Sequence, residues 1–70
     1  MDLDLLGSVV LGLYNELEYQ KDCDEILNGL DSSETNNELK SWIDKGIEKL
    51  ISLGKNDLAE KFKKDIEQLF

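Results

Sequence analysis

The chain has 70 residues, which is enough for one small domain with a marginal hydrophobic core. Its eight lysines oppose sixteen Asp and Glu residues, giving a net charge of −8, and it contains no histidine, arginine or proline. The negative charge argues against direct nucleic-acid binding, and the missing histidine removes the commonest general base and metal ligand.

The charge is unevenly distributed along the chain. Residues 1–38 contain ten acids and only Lys21, a net charge of −9, whereas residues 39–70 contain six acids and seven lysines, a net charge of +1. Such an asymmetry between the two halves calls for a functional hypothesis.

The N-terminal stretch MDLDLLGSVVLGLY is apolar but carries acids where a signal peptide needs positive charge. Its apolar run is shorter than the ~20 residues that span a bilayer. A single cysteine cannot form a disulfide within the chain and is typical of a reducing compartment. We therefore expect a soluble, cytoplasmic protein that does not enter a membrane.

Residues 3–29 read as the first helix, with Asn28-Gly29 as its stop signal. Its apolar stripe changes direction, however. One face carries Leu3, Leu6, Val10, Leu13 and Leu17, and a face rotated by about a third of a turn carries Tyr19, Cys23, Ile26, Leu27 and Leu30. Either the helix breaks near residues 20–22, where Asp22-x-x-Glu25 would form a capping box for a fourth short helix, or it is continuous and its halves face different partners.

A continuous first helix would extend beyond the second by roughly 10 Å at its N-terminal end. The residues in this segment are apolar nearly all round, which favours burial on more than one side. We accordingly predict a homodimer, in which self-association uses Leu3, Leu5, Leu6, Val9, Val10, Leu13 and Tyr14. The alternative is a broken helix that folds back and fills its own core.

Two further helices are predicted at about 33–53 and 56–69. Asp31-Ser-Ser-Glu34 resembles a capping box for the former, Gly54 would end it, and Asn56 would cap the latter. Their regular apolar spacing predicts a helical hairpin. The predicted fold is therefore all-α, a three-helix up-down bundle in a single domain over residues 1–70.

The stretch Asp22-Cys23-Asp24-Glu25 is the obvious candidate for a metal site. Counted from Asp22, an EF-hand would need glycine at position six and glutamate at position twelve, but Leu27 and Ser33 stand there. Cys23 lies between two acids, which disfavour a thiolate, and we interpret it as a core residue. We predict no metal and no cofactor.

Enzymatic activity is not expected. A chain this small has little room for a pocket of about 300 Å³. No serine lies in a nucleophile elbow, and Gly7 and Gly12 do not form a phosphate-binding loop.

The leading functional hypothesis is a small acidic regulator or inhibitor that binds a basic surface of a protein partner. Small phage- and plasmid-borne inhibitors often act in this way, and the comparison with them is by size and charge. The predicted contact surface comprises Glu16, Glu18, Asp22, Asp24, Glu25, Asp31 and Glu34. The alternative is a self-associating helical module whose acidity serves only solubility.

Overall fold

The computed structural model describes residues 3–70 and contains four α-helices in that range. They are α1 (Leu3–Glu18), α2 (Asp24–Ser32), α3 (Asn36–Ser52) and α4 (Asn56–Leu69). The predicted all-α bundle is confirmed. Of the two alternatives for the first helical segment, the structure adopts the broken one.

The prediction of a continuous helix over residues 3–29 is therefore wrong. Just after α1, the Gln20 N–H donates a hydrogen bond of 3.0 Å to the Leu17 carbonyl. Asp22 then adopts a positive φ of 62°, in the left-handed region, which a right-handed helix cannot include. The capping box predicted at Asp22-x-x-Glu25 is also wrong, because the N-cap of α2 is Cys23, which makes no side-chain capping bond.

The connection between α2 and α3 differs from prediction. Asn28-Gly29 does not stop the helix, which continues to Ser32, and the Ser33 hydroxyl donates to the Gly29 carbonyl over 2.6 Å. The capping box predicted at residues 31–34 is wrong because α2 includes residues 31 and 32. Thr35 is the N-cap instead, and its hydroxyl oxygen accepts from the Glu38 N–H at 3.1 Å.

The turn between α3 and α4 matches the predicted helical hairpin. Gly54 has a φ of +84°, its N–H donates to the Ile51 carbonyl at 3.0 Å, and the Lys55 N–H donates to the Leu50 carbonyl at 2.9 Å. These are the two bonds of a Schellman motif. Asn56 is not the N-cap of α4, since Lys55 holds that position without a side-chain bond.

The helices surround one hydrophobic core. Within residues 3–70, α1 and α3 each contact the three other helices, whereas α2 and α4 lie on either side and do not contact each other. The buried residues are Leu6, Val9, Leu13, Leu17, Cys23, Leu30, Ile43, Ile47, Leu50, Ala59, Phe62 and Ile66. The broken first segment thus fills its own core.

Two glycines let α3 approach its neighbours closely. A Cβ on Gly46 would lie 2.8 Å from a methyl carbon of Leu13 on α1, and one on Gly29 of α2 would lie 2.0 Å from the indole ring of Trp42. The ring also has the ammonium of Lys45 at 4.2 Å from its centroid. Trp42 is therefore half-buried at the edge of the core and holds α2 against α3.

The left-handed conformation of Asp22 can be tested by comparing two substitutions that remove the same charge. Asp22→Gly is expected to be more stable than Asp22→Ala by about 1 kcal/mol, because glycine adopts positive φ without steric cost. Urea unfolding followed by far-UV circular dichroism measures the difference. As a control, the order should reverse at Asn28, where Asn28→Ala should be the more stable variant by about 1 kcal/mol because this position is helical. A continuous first helix would give the Asn28 order at both positions.

Gly29→Ala is expected to destabilise the protein by about 1–3 kcal/mol, because the added methyl group would overlap the Trp42 ring. In a Trp42→Ala background this penalty should vanish, which a double-mutant cycle in urea detects. The matched control is Gly7→Ala. A Cβ there has no neighbour within 4 Å, so this variant should gain about 0.5–1 kcal/mol. Equal penalties at Gly29 with and without the indole would contradict the packing.

Candidate functional site

Cys23 is a core residue, as the sequence indicated. Its side chain is buried, and the thiol donates a weak hydrogen bond to the Lys21 carbonyl over 3.4 Å. Burial raises the pKa of the thiol, and the carboxylates of Asp22 and Asp24 raise it further. The nearby ammonium of Lys49 lowers the pKa, but the net shift is upward. The group therefore stays a protonated thiol at neutral pH and is a poor nucleophile.

The acids around Cys23 do not form a metal site. Asp22, Asp24 and Glu25 are exposed, and within residues 3–70 no three His, Cys, Asp or Glu side chains are placed to hold an ion. Oxygen-only cation sites need about six converging ligands, whereas these carboxylates project into solvent.

Among the seven predicted contact acids, Glu16 differs from the others. Its carboxylate lies 2.8 Å from the ammonium of Lys55, and its side chain is only 30% exposed. This ion pair ties α1 to the turn before α4. Glu16 is consequently the member of the set least free to meet a partner.

The remaining six predicted contact acids are exposed, and none forms an ion pair in the part of the chain that the structure describes. They follow α2 and its flanking turns, at Glu18, Asp22, Asp24, Glu25, Asp31 and Glu34. Since α2 rises about 1.5 Å per residue, Asp31 lies roughly 10 Å along the helix from Asp24. The acids therefore lie at both ends of α2 and do not form one compact patch.

The rest of the bundle carries charges of both signs. Helix α2 contains three acids and no lysine, whereas α3 contains three acids and three lysines, including the exposed ion pair between Lys40 and Asp44 at 3.0 Å. The excess negative charge is thus concentrated on the first two helices and the turns beside them.

An open apolar groove of about 510 Å³ runs along α1. Its lining residues are Leu3, Leu6, Gly7, Val10, Leu11, Tyr14, Asp31 and Leu39. The chain was expected to have little room for a pocket of about 300 Å³, yet α2 and the start of α3 leave this open groove along one side of α1. One carboxylate and one phenol in an apolar lining favour packing over acid–base chemistry.

The groove changes the interpretation of the predicted self-association residues. Leu6, Val9 and Leu13 are buried in the protein's own core, where α2, α3 and α4 all contact α1. Val9 and Leu13 therefore offer almost no surface to a second copy, whereas Leu6 still lines the groove. Of the other four, Leu3 is exposed, and the rest are partly buried at Leu5, Val10 and Tyr14.

Sequence reasoning missed three residues of the groove, Gly7, Leu11 and Leu39. Leu11 is 61% exposed, comparable with Leu3 at 72%, yet it was not among the predicted contact residues. Its position off the main apolar stripe of α1 is a signal that could have identified it. Leu39 lies near the start of α3, and only the packing of α3 beside α1 places it in the groove.

No known protein-family model matches the chain. Neither a curated protein nor a solved structure shows significant similarity to it. Among the helices described within residues 3–70, none combines the length and apolar character needed to cross a bilayer.

The raised thiol pKa predicts a pH dependence of stability. Unfolding releases Cys23 to an ordinary pKa near 9.0, so above that pH the unfolded state loses its proton first. The thiol's contribution to stability is complete below pH 9.0 and falls as the pH rises towards the higher folded value. Cys23→Ala should lose stability less steeply than the wild type in urea titrations above pH 9.0.

Native Cys23 should also react slowly with a thiol-specific disulfide reagent at neutral pH, at a rate that rises in urea with the unfolded fraction. Fast modification of the folded protein would contradict the burial of this side chain.

Proposed function

We propose that this protein is a non-enzymatic interaction module that binds a basic surface of a protein partner through the acids along α2. The supporting observation is the set of exposed carboxylates at Glu18, Asp22, Asp24, Glu25, Asp31 and Glu34, none of which has a lysine partner within the described residues. Glu16 belongs to the same half of the chain but is held by Lys55.

Unpaired surface carboxylates suit this role physically. They are already solvated, so pairing them with lysine or arginine at the rim of an interface requires no rearrangement of existing ion pairs. Their summed field raises the rate of encounter with a cationic surface, and the effect weakens as salt is added. The mixed charges of α3 supply no comparable field.

Such binding would make the protein a regulator or inhibitor. A bound acidic helix excludes other anions from the partner's basic surface, including any nucleic acid that uses it. The net charge of −8 keeps the protein itself from binding nucleic acid. The proposed setting is the cytoplasm, where the single buried thiol remains reduced.

The second candidate function is a self-associating module, a homodimer in its simplest form. It is favoured by the exposure of Leu3 and by the neighbouring groove residues Val10 and Tyr14. Sedimentation of the pure protein at high micromolar concentration tests this candidate, and a monomer at that concentration would refute it.

The electrostatic proposal predicts the effect of removing charge from a defined part of the surface. The test variant combines Glu18→Gln, Asp22→Asn, Asp24→Asn, Glu25→Gln and Asp31→Asn. A partner captured from host lysate and then purified should bind it at least ~10-fold more weakly than the wild type at low salt, mainly through slower association. Surface-based kinetics over a salt series measures both rates.

The matched control neutralises five exposed acids in the second half of the chain, at Asp44, Glu48, Asp57, Glu60 and Glu67. It changes the net charge by the same amount and should retain most of the affinity. Equal losses in both variants would reduce the effect to net charge, and full affinity in the test variant would refute the proposal.

A further inference from the structure

We infer that the groove along α1 is the docking site for an amphipathic helix of the partner, with an apolar stripe flanked by lysine or arginine. The inference rests on the proposed function, in that it assigns a shape and a chemistry to the basic partner. The inference concerns the apolar side chains of the groove, whose exposure the acidic surface does not explain.

The first observation is an apolar stripe on the exposed side of α1. Leu3, Gly7, Leu11 and Tyr14 are spaced by four, four and three residues, so they lie on one face of the helix. All four line the groove, and two of them are among the most exposed large apolar side chains described, Leu3 at 72% and Leu11 at 61%. Isolated surface leucines are ordinary, but a stripe bordering a groove of about 510 Å³ marks a contact surface.

The second observation is Gly7 within that stripe. Glycine is unfavourable in the interior of a helix, and here it has no role in packing, since a Cβ would meet no atom within 4 Å. The glycines at 29 and 46, by contrast, lie directly under side chains of neighbouring helices. A glycine in an apolar groove lets the axis of another helix approach closely, as ridge-into-groove packing requires.

The charge around the groove identifies the occupant. Asp31 is part of its lining, and Asp4 and Glu18 lie on the same face of α1 as Leu11, each seven residues from it. These exposed carboxylates therefore bracket the stripe at its two ends and from the side of α2. A second copy would bring three equivalent acids into a symmetric contact between two chains of charge −8, which is repulsive. A cationic helix is complementary at the same places.

The dimensions fit a short helix. Asp4 and Glu18 are fourteen residues apart on α1, which corresponds to about 21 Å along the axis. A partner helix of about four turns spans this distance, with apolar side chains at the i, i+3, i+4 and i+7 positions typical of helix-in-groove recognition.

The test uses labelled synthetic peptides of about 18 residues and the full chain. The first peptide has a leucine stripe at helical spacing, flanked by lysines. The second has the same composition in an order without an apolar face. The third keeps the leucine stripe and replaces lysine with glutamine. Fluorescence anisotropy at about 0.1 M salt measures affinity. The first peptide should bind at least ~10-fold more tightly than either of the others.

Three variants locate the site. Gly7→Leu fills the groove and Leu11→Gln removes an apolar contact, so each should weaken the first peptide by about tenfold or more. Ile51→Gln is the matched control, because Ile51 is a similarly exposed aliphatic residue on α3, at 52%, outside the groove. It should change the affinity less than about twofold. Circular dichroism confirms folding, and Gly7→Ala, which favours the helix, provides a second variant at the same position.

The outcomes separate this inference from the proposed function. Equal binding of the first two peptides, unaffected by Gly7→Leu, would leave the electrostatic proposal intact and refute the groove. Equal binding of the lysine and glutamine peptides would refute a cationic occupant of the groove, whereas the acids along α2 are tested separately by the charge-neutralised variant. A dimer of the pure chain that Gly7→Leu dissociates would assign the groove to a second copy and overturn the inference.

Discussion

The arrangement of the bundle depends on one backbone constraint, the left-handed conformation of Asp22 in the turn at residues 19–23. A residue at positive φ cannot continue a right-handed helix, so the apolar segment that begins with α1 reverses and returns as α2. Cys23 and Leu30 then join the core that Leu13 and Leu17 line. A continuous segment would have left the N-terminal leucines beyond the reach of the hairpin. The turn therefore lets a 70-residue chain bury a core without a second copy.

The turn has a second consequence, because it determines which side of α1 is covered. α2, α3 and α4 all contact α1, and together they bury Leu6, Val9, Leu13 and Leu17 on one face. The adjoining face, with Leu11, is left as one wall of the groove. The same packing that removes Val9 and Leu13 from the surface thus leaves the apolar surface that remains.

Sequence patterns correctly predicted the features of the fold that depend only on neighbouring residues. The three–four spacing of Ile43, Ile47 and Leu50 predicted the buried face of α3, and Gly54 predicted its end, because both follow from helix geometry and from the need for positive φ. The exact boundaries around residues 31–37 were not predictable, since almost every residue there can cap a helix and only one is used.

Tertiary contacts account for the remaining errors. Asn28-Gly29 resembles a helix stop in the sequence, yet Gly29 is required because the indole of Trp42 packs against it, thirteen residues further along the chain. The acids of the candidate site were all identifiable from the sequence, but the engagement of Glu16 by Lys55 was not, because α4 begins beside α1 only in the folded bundle. Leu11 lies off the main apolar stripe of α1, and only the packing of α2 and α3 decided that the side of the helix with Leu3 and Leu11 stays open.

The exposed apolar stripe and the acids beside it can be explained together, by the stability that the stripe costs and the partners that the acids select. A small domain has little apolar surface to spare, so leaving Leu3 and Leu11 exposed sacrifices burial that would have stabilised the monomer. An exposed apolar stripe alone would favour association with any apolar surface, including a second copy. Carboxylates beside the stripe, Asp31 foremost, penalise acidic and identical partners and favour cationic ones. In the proposed complex, apolar contact would supply most of the affinity and the charge would select the partner. Acidity that served solubility alone would not need to be concentrated on α1, α2 and the turns beside them, since the mixed charges of α3 show that this chain can also build a balanced polar surface.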